Sequence, residues 1–173
     1  CSPISFIVAM HVRAKVWVHE VHVHEQHQKR GIATWLVHTV AEGKHVELQV
    51  HSGEAGEGAR RAYMNMGLRV RRLRAKGAVY ESASDGSTLM YTENMVVRSR
   101  WIPNCRIEKY SEDNVPAAII NEMAKIVHKY RRRTGDGDGG DIIQTIQHLS
   151  DCTGESMEYV VIRHDQLLEN DEG

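Results

Sequence analysis

The stretch EQHQKRGIATWLV, residues 25 to 37, sets a run of polar and cationic side chains ahead of Gly31 and Ala33 and then passes into apolar residues at helical spacing. Ile32, Trp35, Leu36, Thr39 and Val40 recur as one face of a helix that Gly31 opens and Gly43 closes. Small residues at 31 and 33 let the backbone approach a ligand closely. The first N–H groups of a helix point outward at its positive end, so phosphate oxygens are natural guests, and Lys29 and Arg30 add charge. The Gln28-x-x-Gly31-x-Ala33 pattern therefore reads as a pyrophosphate cradle or, equally, as a tight turn with a solvated basic corner. A Walker-type loop is excluded, because no Gly-Lys-Ser/Thr follows.

Upstream, Ile4 to Val12 and Lys15 to Val23 read as strands rich in Val, Ile, Phe and Trp, joined by Arg13-Ala14 as a hairpin. Strict alternation in the second puts Val16, Val18, Glu20, His22 and His24 on one face and Trp17, His19, Val21 and Val23 on the other. Downstream, His45 to Val50 alternates as a strand. A Gly-rich turn from Gly53 to Gly58 leads to a helix through Ala59, Ala62, Tyr63 and Met66, stopped by Gly67. Leu68 to Glu81 and Thr88 to Val97 form a long hairpin joined by residues 82 to 87.

Pro103 marks a linker, residues 101 to 105. After it come a strand at Arg106 to Tyr110 and a helix start at Ser111 to Asn114 with Pro116. That helix carries Ile119, Ile120, Met123, Ile126, Val127 and Tyr130 as its apolar stripe. A Gly/Asp loop follows at Gly135 to Gly140, then a helix capped by Asp141 with Ile142, Ile143, Ile146 and Leu149 facing inward, and a last strand at Met157 to Arg163. Mixed strands and helices over 173 residues give one domain of α/β or α+β class.

Charge narrows the function. With 22 Lys plus Arg against 23 Asp plus Glu, the net charge of −1 argues against a general polyanion binder, so no nucleic acid partner is expected. Arg131-Arg132-Arg133 reads as a solvated helix end. Cys1, Cys105 and Cys152 are odd in number and far apart, which points to a reducing compartment, cytoplasmic or nuclear, rather than to a disulfide framework. No signal peptide and no run near the ~20 apolar residues of a membrane span is present, so a soluble protein with no membrane partner is expected. A chain that begins with Cys reads as a processed product or a fragment. His22, His24 and His27 have a spacing that a metal could use, but nothing local completes a tight ligand set, and no metal site is expected.

The cradle stretch resembles the acetyl-coenzyme A loop of the GNAT superfamily of N-acetyltransferases, whose pattern Gln/Arg-x-x-Gly-x-Gly/Ala follows the fourth strand. The strand end Val21-x-Val23, the strand at His45 to Val50 and the stretch Ala59-Arg60-Arg61-Ala62-Tyr63-Met64-Asn65-Met66-Gly67-Leu68 match at the expected places. The last is similar to the family's helical Tyr followed by Gly and an apolar residue. Within the family, Val16 to Val23 looks most like the protein N-terminal acetyltransferases that act on histone amino termini, with Glu20 at their acidic position. The helix after Gly58 departs from that subfamily's aromatic-rich pattern.

The resemblance implies a mixed, mostly antiparallel GNAT-like sheet flanked by helices. It also implies acetyl-CoA as cofactor and direct acetyl transfer to a primary amine, perhaps a peptide or protein N-terminus. Glu20 becomes the base with His22 as its alternative, Tyr63 the acid toward sulfur, and Val21, Val23, Gln28, Lys29, Arg30, Gly31, Ile32 and Ala33 the cofactor contacts. Family members begin with a strand, two helices and a second strand that are missing before Ile4. Residues 106 to 173 resemble that portion placed last, and residues 1 to 100 resemble the family's C-terminal portion, so the order reads as circularly permuted. An unrelated helical tail is the other reading of residues 106 to 173. A non-catalytic module that keeps the fold within a larger assembly is the other reading of the whole chain.

Overall fold

The computed structural model describes residues 3–51, 54–75, 78–81, 87–92, 105–134 and 157–164. The hairpin forms as read: β1, Pro3–Val12, turns at Arg13, whose φ is 53°, into β2, Lys15–Val23. Helix α1, Ile32–Ala41, ends in the left-handed pair Glu42 and Gly43 and leads to β3, His45–His51. Helix α2 covers Glu54–Asn65. The sequence reading placed a turn over Gly53 to Gly58, but the helix starts at Glu54 and takes Gly56 and Gly58 into its first turns. Glycine weakens a helix by only about 1 kcal/mol, and the apolar stripe of Ala62, Tyr63 and Met66 outweighs that.

The long hairpin also needs correction. Leu68 to Glu81 divides into β4, Arg69–Val70, β5, Arg72–Ala75, and β6, Ala78–Glu81; β5 and β6 pair with each other as a separate two-stranded sheet, with Ala75 opposite Ala78. A two-residue connection ending in glycine is itself a hairpin signal. Only β4 pairs with β7, Ser87–Thr92. Strand β8, Cys105–Ser111, begins inside the expected linker, and the rest of that linker lies outside the described residues. Ser111 and Asn114 close a capping box around a short 3-10 turn, after which α3 runs over Ala117–Thr134. The Gly/Asp loop with Asp136, Asp138 and Asp141 and the expected helix after it also lie outside the described residues. The last strand, β9, is Met157–His164.

The main sheet has seven strands in the order β4-β7-β3-β2-β1-β9-β8, antiparallel except for the β2–β3 pair. This mixed, mostly antiparallel sheet with helices on both faces has the architecture expected from the sequence. Strand β9 lies beside β1 with Met157 opposite Met10 and Val160 opposite Ile7, the pairing that the permuted reading requires. Strand β1 feeds two apolar layers. Ile7 and Ala9 join Ile32, Leu36, Val37 and Val40 of α1, while Phe6 and Val8 join Ile119, Met123 and Val127 of α3 with Met157, Tyr159 and Val161 of β9. At roughly 1.5–3 kcal/mol per fully buried large apolar side chain, the α3 layer is a principal source of stability.

Polar contacts fasten that layer at the sheet edge. Arg163 Nε donates to Glu108 Oε2 at 2.9 Å and its Nη2 lies 3.5 Å from Glu122 of α3. Burial opposes ionisation of Glu108, but the hydrogen bonds from Arg163 and Tyr110 outweigh it and hold the carboxyl below its ordinary range. A lowered folded-state pKa contributes stability that is present above the unfolded value of about 4.3 and is lost as pH falls through the folded value. Glu108→Gln should therefore cost about 1 to 2 kcal/mol at pH 7 and close to nothing near pH 3. Urea titrations at the two pH values check this, and equal losses at both would contradict it.

Candidate functional site

The sheet opens between β2 and β3. Their parallel ladder runs from Lys15 opposite His45 to Val18 opposite Leu48 and stops there. Both strands continue, β2 to Val23 on β1 and β3 to His51 on β7. A fork results, with His19 to Val23 on one arm and Gln49 to His51 on the other. Backbone groups on the inner side of each arm have lost their neighbouring strand and face the gap, where an extended ligand can take the strand's place.

A β-bulge sits at the start of the fork. Val8 faces Glu20 and Ala9 faces Val18, so His19 is an extra residue in β2. This corrects the strict alternation read from the sequence. Val16 and Val18 belong to the α1 layer, and so do Val21 and Val23, whereas His22 stacks on Phe6 of the α3 layer with ring centroids 5.1 Å apart. Glu20, opposite Val8, shares that second face. The bulge thus turns the two valines toward the cradle side and Glu20 and His22 toward the other side.

Glu20 and His22 meet directly: His22 Nε2 is 2.6 Å from Glu20 Oε2, and both side chains are largely covered. His19 was not among the expected site residues. Burial holds its imidazole below the ordinary pKa while the Glu20 carboxylate pulls it upward, and its buried Nε2 has no hydrogen-bond partner among the described residues. The signal that singles it out, a bulge, has no marker in the local sequence.

On the other face the cradle is built from strained backbone. Lys29 has φ 61° and Gly31 has φ 81°, bracketing Arg30. A left-handed lysine is uncommon, and alternating backbone of this kind turns successive N–H groups into one concavity. Gly31 serves as N-cap of α1 without any side-chain cap, and the first intrahelical bond is Trp35 N to Gly31 O at 3.0 Å. The N–H groups of Ile32, Ala33 and Thr34 therefore precede the helix ladder. Gln28 turns back, its amide donating to Val23 O at 3.2 Å, so this side chain fixes the cradle to the end of β2. Lys29 and Arg30 are exposed.

Tyr63, half-buried on α2, packs against the α1 layer with Val21, Val23 and Met66. The structure brings Glu20 to His22, and it places Tyr63 with the two valines on the opposite face of the sheet. The fork, where the β2–β3 ladder has ended, lies beside both groups. A further concavity lined by Arg13, Lys15 and His45 lies at the other end of β2, away from the fork. Among the described residues no group of His, Cys, Asp and Glu is arranged to hold a metal ion, and no helix is long and apolar enough to cross a membrane.

No family model and no curated protein matches the sequence. Among solved structures, the chain is similar to a protein assigned as an acetyltransferase of the GNAT family from Bacteroides thetaiotaomicron, at 17% identity and a TM-score of 0.41. The likeness covers 54% of this chain and 57% of that one, so the match spans little more than half the length of the solved neighbour. With a likeness of that size, a functional reading has to rest on this chain's own geometry.

Proposed function

We propose that the chain is an acetyl-CoA-dependent N-acetyltransferase of GNAT type, in which the thioester lies in the β2–β3 fork between the cradle and the Glu20–His22 pair. The observation that carries this reading is the fork itself. It is a gap in the sheet with a positive-φ anion cradle and uncapped helix on one side and a covered carboxylate–imidazole pair on the other. Pyrophosphate oxygens take the N–H groups at Gly31 to Ala33, with Lys29 and Arg30 supplying charge. The pantetheine arm follows the inner edge of β2 past Val23 and Val21. A backbone N–H near Val23 donates to the thioester carbonyl, where negative charge develops.

The acceptor is a primary amine. Its nitrogen attacks the carbonyl carbon, the carbon–sulfur bond breaks, the ammonium proton passes to Glu20 directly or through one water, and the thiolate takes a proton from the Tyr63 hydroxyl. His22 holds the carboxylate in place. The resemblance of Val16 to Val23 favours the amino terminus of a peptide or protein as that amine.

The first test is binding. Gly31 at φ 81° is a backbone position that a β-branched residue does not adopt without strain. Gly31→Val is expected to weaken coenzyme A binding at least tenfold, about 1.4 kcal/mol. Gly31→Asn, which tolerates the left-handed region, should lose less. Calorimetry on folded variants reads both. A wild-type chain that binds no coenzyme A would sink the reading and favour a non-catalytic module instead.

A further inference from the structure

The short 3-10 turn at Glu25–His27, between β2 and the cradle, holds two imidazoles that the proposed chemistry does not use. His24 caps the turn, its Nδ1 accepting from Gln26 N at 3.4 Å, and its backbone N–H donates to Ile4 O at 2.7 Å. The His24 and His27 rings stand edge to face, 6.0 Å between centroids. Arg30 Nη1 lies 3.1 Å from His27 Nδ1. A guanidinium can only donate, so Nδ1 accepts here and carries no proton. One of the two cations of the cradle is thus held by an imidazole nitrogen that carries no proton.

We infer that His27 and Arg30 form a proton-linked latch on the anion cradle: a bound diphosphate draws Arg30 off the imidazole, and the freed Nδ1 takes up a proton. This rests on the proposed cofactor site and adds a regulatory property to it. On the same stretch, Arg30 and the His24 ring meet His27, Glu25 and Lys29 stand two residues to either side of it, and the positive end of α1 follows. Without an anion, Arg30, Lys29 and the helix end disfavour a further positive charge at His27, while the Glu25 carboxylate favours one. An anion in the cradle reverses that field, raising the affinity of His27 for a proton in the complex. The proton comes from the buffer acid and no other bond changes. Since the complex binds more protons than the free chain, affinity rises as pH falls through the imidazole range.

The test is calorimetry with coenzyme A, and separately with inorganic pyrophosphate, at pH 7 in Mops and in Tris, whose ionisation heats differ. Phosphate groups have their own proton exchange, so the quantity read is the difference between the wild-type chain and His27→Gln. That variant still accepts from Arg30 but cannot be protonated. The wild-type chain should take up about half a proton more than His27→Gln and tighten about threefold more between pH 8 and pH 6.5, the range about a typical imidazole pKa. His24→Gln should keep the uptake.

Equal proton uptake in wild type and His27→Gln, with binding intact, overturns the latch and leaves the cradle standing. Pyrophosphate binding with linked uptake, in the absence of coenzyme A binding, supports the latch and refutes the cofactor. No heat with either ligand overturns both.

Discussion

Glu20→Gln is expected to leave coenzyme A affinity unchanged and to lower acetyl transfer by roughly 10² or more, the contribution of one positioned general base. The substitution keeps the shape and lets the amide still meet His22 at the 2.6 Å contact, so the bulge and the strand pairing at Val8 survive. What is lost is the carboxylate proposed to accept the proton. Loss of turnover without loss of binding marks an interaction made only on the way to the transition state. His22→Gln should fall less, because a positioning residue acts through Glu20, and its effect should shrink at high pH, where the free amine needs less help. Tyr63→Phe tests the other end of the reaction, slowing thiol departure while the ring keeps its packing against Val21 and Val23. Free thiol release from acetyl-CoA with a peptide amine, followed beside calorimetry of the same variants, reads all three. Wild-type turnover in both Glu20→Gln and Tyr63→Phe would show that the roles lie elsewhere.

What the sequence discloses about this site is uneven, for physical reasons. The cradle is local: a glycine at a left-handed position, two cations and an apolar helix face are adjacent in the chain, so residues 28 to 33 could be read together. Strands β1, β2, β3 and β9 were legible because their apolar content is dense enough to need two buried layers. The side to which Glu20 points was not legible. One extra residue at His19 inverts everything beyond it, and the bulge is set by pairing with Val8 and Ala9, which lie eleven and ten positions earlier in the chain. The His27–Arg30 contact was missed for the opposite reason. In the sequence Arg30 reads as cradle charge or a solvated basic corner and His27 as part of a spacing that a metal could use, whereas the fold sets Arg30 Nη1 3.1 Å from His27 Nδ1, with left-handed backbone at Lys29 and Gly31 on either side of Arg30. The division of Leu68 to Glu81 was hidden by its even mixture of Arg and apolar residues, in which the Lys76-Gly77 turn signal competes with a continuous strand.

We propose that the order of the chain is a circular permutation of the GNAT arrangement, and a re-ordered chain tests it with the largest structural effect. Pro3 is the partner of Arg163 in neighbouring strands, so residues 164 to 173 joined to residues 1 and 2 need bridge only about one strand spacing of ~4.8 Å. The existing connection is the longer one. From Thr92 on β7 to Cys105 on β8 the chain passes five strand positions, about 24 Å sideways, and ends at the opposite end of the sheet. Residues 93 to 104 can reach about 40 Å when extended, which suffices. A chain that begins at Cys105, runs through Gly173 into Cys1 and ends at Asn104 keeps every ladder of the sheet. It is expected to fold with the same circular dichroism and to bind coenzyme A within about threefold of the original, a difference below 1 kcal/mol. Deleting residues 105 to 173 should instead abolish cooperative folding. That deletion strips β1 of its β9 partner, uncovers Phe6 and Val8, which are fully buried, and leaves a long apolar edge of the kind native sheets avoid. If residues 1 to 104 alone melt cooperatively and bind coenzyme A, β8, α3 and β9 are an addition rather than the displaced half of the fold. If the re-ordered chain folds while the deletion does not, the two segments belong to one sheet whose strands can be read in either order.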